Sequence, residues 1–332
     1  MDAPLPASAF HHSRRIITEP EGFGDAVSGA NLAVDFQRRQ ECPSTVEQFQ
    51  SPGWAFDFGE AHARTRVRGV VLGGWASLCL IRGPGGSKWN AQPAEPGSIA
   101  FLPPGEDMDG RTAAGFSWLT MAVPPSVWAQ CQALAGAWGE RFSGLSTHRL
   151  PSPLFGQIER RHRAARQLLQ DSLDRPHLAP AAVREAASLA TSCFTTVCEM
   201  AMRAQPLRAS LRNRARLARR ADAWLRDRLV DHVQVPDLCL ALRVSRRELE
   251  YAFRNVFDQS PRDYLQMLRL NAVRRALRSS SVPLAQVALD HGITHFGRFA
   301  AQYRALFGER PSETRRDLGF GSPRLSMSAR EN

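Results

Sequence analysis

Apolar residues in the last third of the chain recur at helical spacing, and one arrangement of them occurs twice. Each copy has an apolar residue beside a small one, then a turn, then three large apolar residues four positions apart. That last spacing is typical of one buried helix face. Because the small residue lets the second helix cross closely, each copy predicts a helix-turn-helix unit. The copies are Leu238-Cys239 with Leu249, Phe253 and Phe257, and Val287-Ala288 with Phe299, Tyr303 and Phe307.

The residues between the two copies predict how the units are joined. Ser245 is placed to cap the second helix of the first unit, and Gly292 supplies a positive φ angle to the second turn. Ser260 followed by Pro261 predicts the start of one long connecting helix. A rigid connection would hold the two recognition helices about 34 Å apart, so that both read one face of B-DNA. The expected buried stripe of this helix is Tyr264, Leu265, Leu268, Ala272 and Leu277, with Arg269, Arg274 and Arg275 left for the surface.

Charge is distributed unevenly between the two halves of the chain. Of the 43 basic and 32 acidic residues, residues 1–204 hold 19 of each, and residues 205–332 hold the remaining 24 and 13. The whole net charge of +11 therefore lies in the last part of the chain. Every basic residue except Lys88 is arginine, a bias that explains the choice of arginine but not the asymmetry. A neutral body joined to a basic end predicts an encounter with a polyanion.

Residues 11–125 show short apolar stretches, such as Val70–Leu72 and Ala76–Ile81, separated by Gly and Pro clusters. Strands at such close spacing predict a small sandwich or barrel. Residues 96–105 have a turn–strand–turn pattern similar to that of cupin-like barrels. The first part of the chain is therefore predicted to be β-rich.

Helical spacing replaces the strand pattern from about Pro124 onward, and two helices are predicted over Pro153–Leu173 and Pro180–Arg203. The second helix has an apolar face that packs either on the barrel or on a second copy of the chain. The sequence leaves a dimer element and a plain core helix as open alternatives. The residues of this face are Leu189, Cys193, Val197 and Met200.

The predicted fold class is α+β, with a β-rich, cupin-like sensing domain, a helical linker and an all-α domain that contains two helix-turn-helix units. The best boundary follows Gln205-Pro206, where a helix is broken and an arginine-rich stretch begins. The expected domains are a sensing domain at 1–125, a helical linker and dimerisation region at 126–204, a DNA-binding domain at 205–320 and a flexible tail at 321–332.

With these landmarks in place, residues 221–318 resemble the C-terminal domain of the AraC/XylS family of regulators. The resemblance implies a DNA-binding activator with an N-terminal domain that senses a small molecule or a partner. Because the sequence has neither an apolar run of membrane-spanning length nor the pattern of a signal peptide, a cytoplasmic, nucleoid-associated location is predicted. The sequence departs from the family at Arg243, where glycine is usual, and at Thr314, which replaces an aromatic residue. The landmarks are Ser245, Leu249 and Phe253; Arg269-Leu270, Ala272 and Leu277; Val287-Ala288 and Gly292-Ile293; and Phe299, Tyr303, Phe307-Gly308 and Pro311-Ser312.

Several segments look similar to one branch of that family, the ethanolamine-operon regulators. They are Asp237-Leu238-Cys239, Val244-Ser245-Arg246-Arg247, residues 269–275, and His295 with Gly297 and Phe299-Ala300. That branch is associated with ethanolamine and cobalamin, and no pocket motif in this sequence identifies either compound as its effector.

Matching the family motif residue by residue implies which side chains meet DNA. Arg247 is the first candidate for a bidentate contact to guanine, and Glu250 for accepting from cytosine N4. Arg298 is expected to pair with guanine or a phosphate, whereas Arg254 and Arg304 are expected to hold phosphates. The expected DNA-binding set is Ser245, Arg246, Arg247, Glu250, Tyr251, Arg254, His295, Phe296, Gly297, Arg298, Gln302 and Arg304.

Two other functions compete with a regulator. A cupin-type enzyme would need a metal, but Glu60 and His62 have no further ligand at useful spacing. The six cysteines form no C-x-x-C pair, and no catalytic or phosphate-binding motif is present, so no enzyme, metal or cofactor is predicted. A nonspecific architectural DNA protein would not need a neutral front half of 204 residues. The expected partners are promoter DNA, RNA polymerase, a small-molecule effector and a second copy of the chain, with no membrane.

Overall fold

The computed structural model describes residues 10–18, 22–27, 30–36, 43–135, 146–203, 209–231 and 233–316. They form two compact units: the first comprises the described residues up to Arg216 together with Asn255–Phe257, and the second comprises the other described residues from Leu217 onward. The first unit contains two β-sheets and flanking helices, and the described residues of the second are helical. The predicted fold class, a β-rich domain followed by an all-α domain with two helix-turn-helix units, is confirmed.

The first unit is built on two antiparallel sheets. In spatial order, the seven-stranded sheet contains β1 (His11–Ile17), β3 (Ser44–Ser51), β4 (Trp54–Ala61), β11 (Phe116–Val123), β6 (Ala76–Arg82), β9 (Ser98–Leu102) and β12 (Ser146–Arg149). The five-stranded sheet contains β2 (Ala30–Phe36), β5 (Thr65–Val71), β10 (Asp107–Arg111), β7 (Ser87–Trp89) and β8 (Gln92–Ala94).

The sheet extends further along the chain than the sequence predicts. Strand β12 pairs with β9 although it lies beyond residue 125, where the β-rich stretch was expected to end. Its four residues are too few to give a clear alternation of their own. Residues 126–204 are therefore not wholly helical, because they contribute an edge strand to the seven-stranded sheet. The predicted tail at 321–332 lies outside the described residues.

One face of the seven-stranded sheet is covered by helices. Phe56 and Phe58 of β4 and Met121 of β11 share a buried core with residues of the two long helices of this unit. Leu189, Cys193 and Val197 lie in that core, and Met200 packs against it. The apolar face of the second long helix thus packs on the sheet of its own chain. The helices of this unit are α1 (Gly22–Ala26), α2 (Pro125–Ala135), α3 (Ser152–Asp174) and α4 (Ala179–Arg203).

The second unit follows the predicted helix-turn-helix order. The six apolar residues expected on the two recognition helices are buried, as is the expected stripe of the connecting helix. Within the described residues, no helix of the chain is long and apolar enough to cross a membrane. The helices are α5 (Ala209–Asp227), which begins in the first unit, then α6 (Val235–Leu242), α7 (Arg246–Phe257), α8 (Pro261–Ser279), α9 (Leu284–Asp290), α10 (Phe296–Phe307) and α11 (Pro311–Arg316).

Both turns use a left-handed residue, but only one uses glycine. Arg243 has a φ of 54° in the first turn, and Gly292 has a φ of 74° in the second. A Cβ atom on Gly292 would lie 3.0 Å from the guanidinium of Arg269 on α8. The second turn therefore needs glycine both for its backbone angle and for the space that Arg269 occupies.

The expectation that Arg274 lies on the surface is wrong. Its guanidinium is buried, lies 3.1 Å from a carboxylate oxygen of Glu309 and stacks over the Phe307 ring, 4.9 Å from its centroid. Thr314 donates to the same Glu309 oxygen at 2.6 Å and is 2.7 Å from the Tyr303 hydroxyl. A threonine in place of the usual aromatic residue is thus part of a buried polar cluster in which the carboxylate compensates the arginine.

Candidate nucleic-acid interface

Helix α7 begins with a complete capping box. The Ser245 hydroxyl accepts from the Glu248 amide at 3.2 Å, and the Glu248 carboxylate accepts from the Ser245 amide at 2.8 Å. The Ser245 amide and hydroxyl both donate to the Glu248 carboxylate, and these hydrogen bonds lower the pKa of that exposed carboxyl. They also satisfy backbone donors at the helix start, so the first turn is fixed in place. Arg246 and Arg247 occupy that turn with exposed side chains.

The outward face of α7 has two sides. Arg246 and Glu250, one turn apart, point to one side, where Glu250 lies 3.8 Å from Arg254. Arg247 and Tyr251 are also one turn apart, and the Arg247 guanidinium carbon lies 5.6 Å from the centre of the Tyr251 ring. Tyr251 is 49% exposed, so its ring is accessible beside the Arg247 guanidinium.

Helix α10 presents the second set of predicted residues. His295 precedes its first residue but makes no side-chain capping hydrogen bond. Phe296 is 42% exposed, and Gly297 faces open space, so its backbone is accessible to a ligand. Arg298 is exposed in the first turn, Gln302 follows one turn later, and Arg304 is exposed near the end.

Side chains of both recognition helices line one groove of about 890 Å³. Arg246 and Glu250 contribute from α7, and His295, Arg298 and Gln302 contribute from α10 or its first position. The structure thus brings five of the twelve predicted residues together in a groove. The other predicted residues are exposed but do not line it: Ser245, Arg247, Tyr251, Arg254, Phe296, Gly297 and Arg304.

The connecting helix contributes groove residues that the DNA-binding prediction missed. Arg262, Gln266 and Arg269 of α8 line the groove, and their spacing of four and three residues was a signal that could have found them. The Gln266 amide donates to the Gln302 side chain at 3.1 Å, and Arg269 donates to the Val233 carbonyl at 2.7 Å. Helix α8 therefore contacts the residue that precedes the first helix-turn-helix unit and the recognition helix of the second helix-turn-helix unit.

Positive charge dominates the groove. The arginines that line it are Arg246, Arg262, Arg269 and Arg298, against the acidic Glu250 and Asp263. Four cations and two anions leave an excess of two positive charges, which favours a polyanionic ligand. Guanidinium groups suit such a ligand because their fork of donors matches both phosphate oxygens and the guanine edge.

Comparison with known proteins agrees with this geometry. A family model described as a helix-turn-helix domain matches residues 238–317. Over 96 residues the chain is 31% identical to the XylDLEGF operon transcriptional activator of Pseudomonas putida, a stretch that covers 28% of this chain and 30% of that protein. This part of the chain therefore matches a helix-turn-helix domain and is similar to the corresponding part of an AraC/XylS-type transcriptional activator.

Other relatives match the same part of the chain. The regulator ArgR of Pseudomonas aeruginosa is 37% identical over 79 residues, which cover 24% of each chain. A solved AraC-type transcriptional regulator from Chromobacterium violaceum is 26% identical, with a TM-score of 0.30, and covers 32% of this chain and 95% of that one. The chain thus spans less than a third of the length of the curated relatives described here.

The comparisons indicate no enzyme family. In the described residues, no group of three His, Cys, Asp or Glu side chains could hold a metal ion. His62 and Glu60, the residues considered for a cupin-type metal site, lie 3.8 Å apart with side chains that are 33% and 51% exposed.

Proposed function

We propose that the chain is a sequence-specific transcription regulator, an activator that reads two successive major grooves of promoter DNA. The observation that carries the proposal is the single basic groove lined by side chains from both recognition helices. The groove holds side chains of both recognition helices, which is the arrangement expected of a domain that binds DNA through two helices. The wider proposal includes RNA polymerase as a partner, a nucleoid-associated place in the cytoplasm and a chain that acts as a homodimer.

The twelve predicted residues divide by chemistry into base contacts and phosphate contacts. We assign Arg247 and Arg298 to guanine, with Glu250 accepting from cytosine N4 and Phe296 touching a thymine methyl group. The exposed Arg254 and Arg304 hold phosphates, as does the groove residue Arg246. The smaller contributions come from Ser245, Tyr251, His295, Gly297 and Gln302.

The proposed division of the chain gives each unit one task. The β-rich unit, assigned to residues 1–125 together with strand β12, senses a small molecule. The helices within 126–204 support that unit and offer a surface for a second copy, and residues 205–320 bind DNA. Closeness to the ethanolamine-operon regulators remains a proposal that is supported by the four sequence segments given above.

Genome-wide mapping of bound sites, followed by gel-shift titration on a mapped operator, tests the proposal. Arg247→Ala and Arg298→Ala should each cost about 1–3 kcal/mol of operator affinity and relax the preference at one base position. Arg310→Ala is the matched control, because Arg310 is an exposed arginine of the same domain that is not among the twelve proposed DNA-contacting residues. Equal affinity for operator and random DNA would overturn sequence-specific reading.

A further inference from the structure

A row of polar side chains crosses the inner face of the seven-stranded sheet. The strand register places Gln48 opposite Asp57, Asp57 opposite Thr120, and Thr120 opposite Cys79. Ala100 continues the row on β9. All five residues line one cavity of about 290 Å³ within the first unit. The row therefore forms one wall of an internal space on the face opposite the helical core.

The other walls of this cavity are mostly apolar, with the hydroxyls of Thr65 and Thr112, 2.6 Å apart, among their polar groups. They come largely from the five-stranded sheet, together with aromatic residues of β11. Among the described residues that line the cavity, Asp57 is the one that belongs to the acidic or basic residue types. Apolar lining residues include Val34, Val67, Trp89, Met108, Phe116 and Trp118.

Asp57 is a buried acidic residue with one unsatisfied hydrogen-bond acceptor. Its neighbours Phe56 and Phe58 face the helical core, so the alternation of β4 turns Asp57 to the inside. Asp57 is 8% exposed and accepts a hydrogen bond from the Gln48 side chain, whereas its Oδ1 atom is buried with no hydrogen-bond partner in the described structure. A buried acceptor without a donor costs free energy, and such exceptions are rare enough to require an explanation.

The Asp57 carboxyl has a pKa close to neutral pH. Burial raises the pKa of its carboxyl to about 7, against the opposing effect of the Gln48 hydrogen bond. The other titratable group of the row, the Cys79 thiol, has a pKa that burial raises to about 12, so it stays neutral. A cation placed beside Asp57 would favour the ionised carboxylate and displace its proton.

We propose that this cavity binds a small ligand with an apolar body and a single protonated amine, and that the amine donates to Oδ1 of Asp57. The size fits one or two rings, because the cavity is roughly twice the 150 Å³ that holds benzene in an engineered protein core. An anionic ligand would place like charges together, and a strongly polar one would leave its other groups unpaired against the apolar walls. That the ligand is the effector rests on the proposed function, whereas its binding does not.

Calorimetric titration of the full chain with 2-phenylethylamine tests this assignment, with 3-phenylpropanoate and 2-phenylethanol as the acidic and neutral analogues. We expect the amine to bind at least tenfold more tightly than the alcohol and the acid not to bind. Titrations at pH 7 in buffers of different ionisation enthalpy should show proton release when the amine binds. Closely similar one-ring and two-ring primary amines complete the panel.

Two variants separate the charge from the space. Asp57→Asn keeps the shape and should weaken amine binding at least tenfold and abolish the proton release. Ala100→Leu leaves Asp57 intact and should abolish binding by filling the cavity. The matched control is Glu60→Gln, which removes a carboxylate from the same strand at a half-exposed position outside the cavity. Circular dichroism and thermal melting show whether each variant is folded.

The proposal is overturned if no amine of the panel binds, if Asp57→Asn binds the amine as tightly as the unsubstituted chain, or if the acid binds better. A gel shift on the mapped operator, with and without amine, keeps the two proposals separate. Amine binding by a chain that does not bind its operator would support the cavity and overturn the regulator. Operator binding by a chain that binds no amine would do the reverse.

Discussion

The two helix-turn-helix units share one apolar core pattern but differ in the polar groups that begin each reading helix. In the first helix-turn-helix unit, Arg243 has the left-handed backbone conformation of the turn and Ser245 forms a capping box. In the second, Gly292 makes the turn and His295 makes no side-chain cap. The two copies therefore share their buried apolar residues and differ in the turn and cap at the start of the recognition helix. The first recognition helix begins with backbone donors satisfied by side chains, whereas the second has an accessible backbone at Gly297.

The largest effect should come from removing a buried ring from either core. Phe253→Ala and Tyr303→Ala each delete a fully buried side chain and should lower the free energy of unfolding by about 3–5 kcal/mol. Urea denaturation followed by circular dichroism measures this loss. If the shared core pattern is equally important in both copies, the two losses should agree within about 1 kcal/mol. A loss below about 1 kcal/mol in one copy would show that its core is not closely packed.

The next effect separates Arg246 from Arg247, which leave α7 on different sides. Arg246→Ala should weaken binding to all DNA sequences alike and reduce the slope of log affinity against log salt by about 1, as for a lost phosphate contact. Arg247→Ala should cost about 1–3 kcal/mol on the operator and much less on random DNA. Gel shifts at several salt concentrations distinguish the two. The opposite result would exchange the roles of the two arginines.

The turns should respond in opposite directions to the exchange of glycine. Gly292→Ala should destabilise the domain by about 2 kcal/mol, because the left-handed backbone disfavours a Cβ atom and Arg269 occupies its space. Arg243→Gly should stabilise by roughly 0.5 kcal/mol, since relief of the left-handed strain is partly offset by the freedom of glycine in the unfolded chain. Thermal melting of both variants tests this. A stabilising Gly292→Ala would contradict the geometry of the second turn.

The last prediction concerns the caps of the two recognition helices. Ser245→Ala should cost about 1 kcal/mol by removing the capping box of α7. His295→Ser should stabilise α10 by up to about 1 kcal/mol, because it offers the hydroxyl that the second unit lacks. Hydrogen exchange of the first-turn amides reports each effect locally. If His295→Ser slows no amide of α10, the starting geometry of that helix does not accept a side-chain cap.

Local signals in the sequence were enough to predict helices α7, α8 and α10. The caps at Ser245 and Ser260 and the buried positions of α7, α8 and α10 all depend on residues within a few turns of each other. Arg274 was misjudged because its compensating partner, Glu309, lies 35 residues further along the chain. Exposure of Arg246 and Arg247 followed from periodicity, but their division between groove and open surface depends on where α10 packs.

The cavity of the β-rich unit could not be predicted from the sequence. Asp57 lies between two phenylalanines in a strand, and its alternation is compatible with a solvent-facing carboxylate as well as with a buried one. Only the register of β4 against β3 and β11 places Gln48 and Thr120 beside it. Burial on the inner face further requires the second sheet, whose strands are interleaved with those of the first along the chain.

The position of Arg269 has a consequence for the promoter. This side chain holds the Val233 carbonyl ahead of one reading unit and fills the space left by Gly292 in the turn of the other. The two units cannot rotate independently without breaking that contact. Each base pair inserted between two half-sites turns one away from the other by roughly 35°. A target promoter should therefore tolerate substitutions in the spacer between its half-sites but neither insertion nor deletion there.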